Sequence, residues 1–200
     1  MKTLRNLFFT TAIFSALSVG HANALPVTID FSTAANSATS SLTFSNGGIT
    51  VIATAGSPTG LVNTRVNAGD KNKGGLGVTA EPGDNGAIDG FGFVDLLNLV
   101  FNKKVKIISA RFSEVDKHDD YSFYTSAGLQ WTRDLPYNFF VNNFGGAQGT
   151  EFGFGALAFD DDYRLRSITV SPVPLPASLL LLLTGIAGVG ALGRRKAKIS

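Results

Sequence analysis

The chain has 200 residues, no cysteine and a formal net charge of +2, but its charged residues are unevenly distributed. Six of the 17 basic residues lie near the two ends, so the segment between them has 11 basic and 15 acidic residues, a net charge of −4. This balance removes the usual electrostatic argument for nucleic-acid binding, and the missing cysteine excludes disulfides, thiol nucleophiles and cysteine-containing zinc sites.

Residues 1–24 have the three parts of a secretory signal peptide. Lys2 and Arg5 give a positive start, a short apolar run follows, and Ala22 and Ala24 supply the small side chains that signal peptidase requires. We therefore expect a signal peptide that is cleaved after Ala24. The alternative is a membrane anchor, which is disfavoured because a helix needs about 20 apolar residues to cross a bilayer.

Residues 25–171 are predicted to form an all-β domain. Short segments in which apolar and polar residues alternate are separated by turns, of which the glycine-rich loop 71–89 is the longest. About nine to eleven such strands are typical of a β-sandwich, and we expect one of jelly-roll type. The expected strands cover residues 25–31, 49–55, 61–66, 97–102, 105–112, 121–124, 129–132, 137–141, 152–158 and 163–169.

Residues 172–200 have the composition of a membrane-inserted tail. Pro174 and Pro176 are expected to end the folded part, because proline cannot donate a backbone hydrogen bond to a sheet. Residues 177–193 carry no charge and are expected to form a transmembrane helix, with the basic tail 194–198 on the cytoplasmic side. The alternative is a permanent C-terminal anchor that is not processed.

This tail resembles the PEP-CTERM sorting signal, in the variant whose motif is Val-Pro-Leu-Pro-Ala. Val173, Pro174, Leu175, Pro176 and Ala177 stand as that motif, and Leu175 replaces the glutamate of the commoner form. The resemblance implies that an exosortase recognises and cleaves the chain after a transient stage in the inner membrane. It also implies a Gram-negative bacterium that makes exopolysaccharide, with the cell surface or the extracellular matrix as the destination.

Two acidic clusters are candidate metal sites. Calcium takes about six to eight oxygen ligands, which carboxylates and loop carbonyls supply, and a cation would relieve the repulsion between adjacent like charges. The spacing does not match an EF-hand, and solvated turn residues are the alternative. The candidate ligands of a structural calcium ion are Asp116, Asp119, Asp120, Asp160, Asp161 and Asp162.

Four aromatic residues in one 17-residue stretch are candidates for stacking against sugar rings. They are Tyr121, Tyr124, Trp131 and Tyr137. Sandwich domains bind ligands with exposed side chains of this kind. The alternative for Trp131, the only tryptophan, is that it fills the core.

No constellation in the sequence meets the geometric roles of catalysis, and we expect no enzyme. After removal of the signal peptide the only histidine is His118, and no Gly-x-Ser-x-Gly turn presents a serine. A glycosidase needs only two carboxylates about 5 to 10 Å apart, so the three glutamates Glu81, Glu114 and Glu151 keep that alternative open.

The sequence therefore predicts an exported protein of the cell surface or extracellular matrix, sorted by an exosortase. Its domain is expected to be a non-enzymatic binding or structural module associated with exopolysaccharide and biofilm. The alternative is a secreted carbohydrate-active enzyme. The expected partners are signal peptidase, the exosortase, the membrane through the C-terminal helix, and exopolysaccharide, but not nucleic acid.

Overall fold

The computed structural model describes residues 24–32, 37–56, 65–68, 74–80, 84–136 and 139–174. These residues form strands and no helix, which confirms the prediction of an all-β fold for this part of the chain. The strands are β1 (Val27–Asp30), β2 (Ser37–Thr39), β3 (Ser41–Asn46), β4 (Ile49–Gly56), β5 (Arg65–Ala68), β6 (Leu76–Thr79), β7 (Ile88–Asp89), β8 (Leu96–Ser113), β9 (Asp120–Thr125), β10 (Gly128–Asp134), β11 (Phe140–Val141), β12 (Gln148–Gly155) and β13 (Asp162–Pro172).

All 13 strands belong to one sheet, and every described pairing is antiparallel. The main path runs β10-β9-β12-β8-β13-β6-β5-β2. The long strand β8 is the centre of this arrangement. Its first half pairs with β4 and β12, and its second half pairs chiefly with β13 and β11.

Strand β8 differs from the sequence prediction, which expected two separate strands here, 97–102 and 105–112. The structure has one strand of 18 residues instead. Phe101 and Val105 are both buried, so the polar residues between them interrupt the apolar face for one position only. Strand β12 adjusts to this segment through a register shift between its residues 149 and 151.

The hydrophobic core is rich in aromatic rings that contact one another. The Phe123 ring lies 4.9 Å from that of Trp131, 5.1 Å from that of Phe144 and 5.6 Å from that of Phe154, measured between centroids. Aromatic pairs at such distances contribute about 0.5–1.5 kcal/mol each beyond the burial of their surface. These contacts fix β9 and β12 against the loop that carries Phe144.

Several predicted features lie outside the described residues. They are the signal peptide except Ala24, the motif residues Leu175, Pro176 and Ala177, the apolar stretch 177–193 and the basic tail. Within the described part, no helix is long and apolar enough to cross a membrane. Ala24 accepts a hydrogen bond on its carbonyl from Ser171 Oγ at 2.9 Å, and the Val173 amide donates to the Lys104 carbonyl at 3.0 Å.

Candidate functional site

A groove lies on one face of the sheet, across four neighbouring strands. Thr54 of β4, Asn98 of β8, Gly153 of β12 and Tyr124 of β9 stand in one cross-strand row. Side chains alternate between the two faces of a strand, and the neighbours of these residues point into the core. The groove is open to solvent and has a volume of about 500 Å³.

Two closely packed glycines lie on β12: Gly153, which lines the groove, and Gly155, which follows it on the same face of the strand. A Cβ atom on Gly153 would lie 2.9 Å from Leu96 Cδ1 and 3.1 Å from Tyr124 Cβ. A Cβ atom on Gly155 would lie 2.8 Å from the carbonyl oxygen of Asp95. Since real Cβ atoms do not approach other atoms so closely, glycine is required at position 155, and a side chain at 153 would displace its neighbours.

The lining of the groove combines hydrogen-bonding groups with an aromatic side chain. Asn98 contributes an amide, and the residues Thr54, Thr125 and Ser126 contribute hydroxyl groups. Tyr124 is half-buried, and burial raises the pKa of its phenol, so the side chain stays neutral at physiological pH. Such a surface can stack against a sugar ring and hydrogen-bond to its hydroxyls.

The four aromatic residues proposed for sugar stacking have different surroundings. Tyr124 lines the groove, whereas Tyr121 is buried, with 1% of its surface exposed. Trp131 packs on Phe123 and donates its indole N–H to the Tyr121 hydroxyl at 3.4 Å. The Arg133 guanidinium lies over the Trp131 ring, 4.7 Å from the ring centroid. Tyr137 lies outside the described residues, so the structure places one of the four in the groove.

Sequence reasoning missed most of the groove, although one signal for it was present. In the run from Glu151 to Gly155, two phenylalanines alternate with two glycines. A strand with this pattern buries both rings on one face and leaves the opposite face without side chains at two successive positions. Asn98 and Thr54 reach the groove because their strands pair with strands that are distant in the chain, and no local sequence pattern indicates this.

The acidic residues predicted as calcium ligands come together at the loops that precede β9 and β13. Asp119 and Asp161 are both buried, and each side chain accepts a hydrogen bond from the backbone of the other loop. Asp119 Oδ1 accepts from the Asp162 amide at 2.8 Å, and Asp161 Oδ1 accepts from the Asp120 amide at 2.9 Å. The second oxygen of Asp161 accepts from the Ala158 amide at 2.9 Å. These two carboxyls therefore join the loops to each other.

This arrangement brings negative charges close together. Burial raises the pKa of the Asp119 carboxyl, and the neighbouring charges of Asp116 and Asp161 raise it further, against the effect of its backbone hydrogen bonds. Burial also raises the pKa of Asp120 to about 6, with a contribution from its hydrogen bond to Asp134 on the adjacent strand. Asp120 thus pairs with Asp134 across β9 and β10.

The remaining acidic candidates line a small open cavity of about 320 Å³ beside these loops. Asp116, Asp160 and Asp162 contribute to it, together with Asp89 and the exposed rings of two phenylalanines. No group of three or more histidine or acidic side chains in the described part of the chain has a geometry that could hold a metal ion. Calcium binding therefore stays a prediction from the sequence.

Two further ionisable groups sit near the same end of the fold. Arg164 is buried, forms an ion pair with Glu114 and donates to the Asn85 carbonyl at 2.9 Å. Asp95 is 1% exposed, and its Oδ1 atom has no hydrogen-bond partner, while Oδ2 accepts from the Asp89 amide at 3.3 Å. Burial raises the pKa of the Asp95 carboxyl to about 8.

Comparison with known proteins gives no match: no protein family, no curated protein and no solved structure is detectably similar to this chain.

Proposed function

We propose that this chain is an exported protein of the cell surface or extracellular matrix, whose domain binds exopolysaccharide without cleaving it. We further propose that the sheet folds over into a jelly-roll-like sandwich, with the groove on its outer surface. The single observation that carries the binding function is the groove itself. It offers Tyr124 beside Gly153 and is lined by amide and hydroxyl groups that match a sugar in chemistry.

The export and sorting part of the proposal rests on the two ends of the sequence. The signal peptide with Ala22 and Ala24, the motif 173–177 and the apolar and basic segments after it support processing first by signal peptidase and then by an exosortase. Replacing Pro174 and Pro176 with alanine should leave the tail uncleaved and the protein in the inner-membrane fraction. Release of this variant at the wild-type level would contradict exosortase sorting.

The binding part is tested by affinity electrophoresis of the purified protein in gels that contain matrix polysaccharides. We expect the wild type to be retarded, and the variant Tyr124→Ala to lose about tenfold or more in affinity, as truncated aromatic anchors of interfaces do. Phe159→Ala is the matched control, because Phe159 is exposed and does not line the groove. Equal retardation of both variants would contradict binding in the groove.

A structural coat protein would give a different result in the same assay. It would assemble as its concentration rises, without retardation by any polysaccharide. Analytical ultracentrifugation over a range of concentrations separates the two outcomes.

One observation favours the alternative of a secreted carbohydrate-active enzyme, namely the carboxylate of Glu151 in the groove. The common glycosidase mechanisms use a second carboxylate about 5 to 10 Å away. Among the described residues that line the groove, no second carboxylate is present. We therefore propose binding, and the release of reducing ends by the wild type but not by Glu151→Gln would support the enzyme instead.

A further inference from the structure

We propose that the groove selects polysaccharides that carry free amino groups, such as unacetylated hexosamine units, over polysaccharides that carry carboxylates. This inference rests on the proposed function, since it names the class of sugar that the same groove would take. The described groove lining contains one charged residue, Glu151, and neither lysine nor arginine. Recognition of an anionic sugar relies on such cations, above all on arginine, which pairs with carboxylates through two parallel hydrogen bonds.

The position of Glu151 makes its charge available to a ligand. It lies on β12 two residues before Gly153, so both face the groove, about 7 Å apart along the strand. Glu151 is exposed, and no cationic side chain of the described residues forms an ion pair with it. Its cross-strand neighbour is Val100, an exposed apolar residue that offers no competing charge. An ammonium group on a sugar in the groove would therefore meet a carboxylate that no cationic side chain of the described residues neutralises.

The charge of the whole domain acts in the same direction. The segment between the two ends has a net charge of −4, so an anionic polymer approaches against repulsion and a cationic polymer approaches with attraction. This long-range contribution is screened by salt within about 8–10 Å at physiological ionic strength. Salt should therefore weaken the preference for amino sugars without removing the stacking and hydrogen bonding that any sugar would make.

The test compares oligosaccharides that share a backbone and differ in charge. Isothermal titration calorimetry of the purified protein is carried out with glucosamine oligomers, N-acetylglucosamine oligomers of the same length and uronic-acid oligomers. We expect the glucosamine oligomers to bind about two- to fivefold more tightly than the acetylated ones, as exposed ion pairs give. The uronic-acid oligomers should bind more weakly than either.

Glu151→Gln should abolish this preference, because the affinity for the glucosamine oligomers should fall to that for the acetylated ones. Asp160→Asn is the matched control, because it removes one exposed negative charge outside the groove and should keep the preference. A preference that survives in Glu151→Gln, or equal affinities in the wild type, would overturn the inference while the proposed function stands. Binding of none of the three oligomers would overturn the proposed function and the inference together.

Discussion

The groove and the acidic loops use polar side chains in opposite ways. In the groove, hydroxyl, amide and carboxylate groups stand on strands whose backbone hydrogen bonds are already made within the sheet, so these side chains are available to a ligand. At the first residues of β9 and β13 and in the loop before β13, buried carboxyls accept hydrogen bonds from backbone amides, so these carboxyls are engaged within the protein. A cluster of carboxylates in a sequence therefore indicates a ligand site only where the backbone amides nearby do not use these carboxylates as hydrogen-bond acceptors.

The largest expected effect is the loss of the loop connection. Asp161→Ala removes the acceptor of two backbone amides, those of Ala158 and Asp120, at a buried position. Unsatisfied buried donors cost about 1–3 kcal/mol each, and these two amides are partly buried, so we expect the free energy of unfolding to fall by about 2–4 kcal/mol. Urea denaturation measures this change.

Asp160→Ala is the control for this variant, because Asp160 is exposed and adjacent in the chain. A change within about 0.5 kcal/mol is expected for it. Equal effects of the two variants would mean that the loops do not depend on the Asp161 carboxyl.

A second variant tests a buried carboxyl that lacks a full set of partners. The pKa of Asp95 is raised from 3.8 to about 8 in the folded protein, so the folded state retains a proton that the unfolded state has lost. The stability that this group contributes is complete below pH 4 and is lost as the pH rises through 8. Asp95→Asn removes this dependence, so the stability of the variant relative to the wild type should rise by up to about 1.4 kcal/mol per pH unit between pH 4 and 8 and stay level above pH 8.

Thermal unfolding of both proteins at pH 5, 7 and 9 measures the difference. A melting temperature of Asp95→Asn that lies below that of the wild type by the same amount at all three values would contradict the assignment of a raised pKa.

The close packing around Gly155 on β12 gives the next effect in size. Gly155→Ala would place a Cβ atom 2.8 Å from a backbone oxygen, which cannot move without shifting the strand. We expect a loss of about 1–2 kcal/mol in urea denaturation, as for other overpacked sites. Gly149→Ala is the matched control on the same strand, since its Cβ atom would meet its nearest neighbour at an ordinary 3.5 Å. Equal changes in the free energy of unfolding for the two variants would contradict close packing at Gly155.

How far the sequence predicts these regions depends on the range of the interactions that build them. The alternation of Leu97, Leu99 and Phe101 is a local signal, and the strand was predicted from it. The continuation of this strand through Lys103 and Lys104 was not predicted, because the strands that pair with the residues on either side of them are distant in the chain. Strand type was thus predicted better than strand length.

The candidate sites follow the same rule. The proximity of the acidic clusters around Asp119 and Asp161 depends on bonds between residues more than 40 positions apart. No spacing rule reveals such bonds, so the sequence left calcium and solvent as the candidate partners of these carboxyls and could not indicate the backbone amides that Asp119 and Asp161 bind. Tyr124 was a candidate binding residue from the sequence, whereas the strands that lie beside it in the groove could not be predicted from the sequence.

Calcium gives the smallest expected effect and tests the comparison most directly. If the carboxylates that line the cavity of Asp116, Asp160 and Asp162 bind calcium with the affinity of extracellular sites, about 0.1–1 mM, then 1 mM calcium stabilises the folded state by about 0.4–1.4 kcal/mol. The melting temperature should then rise by several degrees with calcium and fall with a chelator. Asp160→Asn should reduce the shift, whereas Glu151→Gln in the groove should leave it unchanged. No shift in either direction would remove the calcium prediction and leave the loop carboxyls with the backbone as their partner.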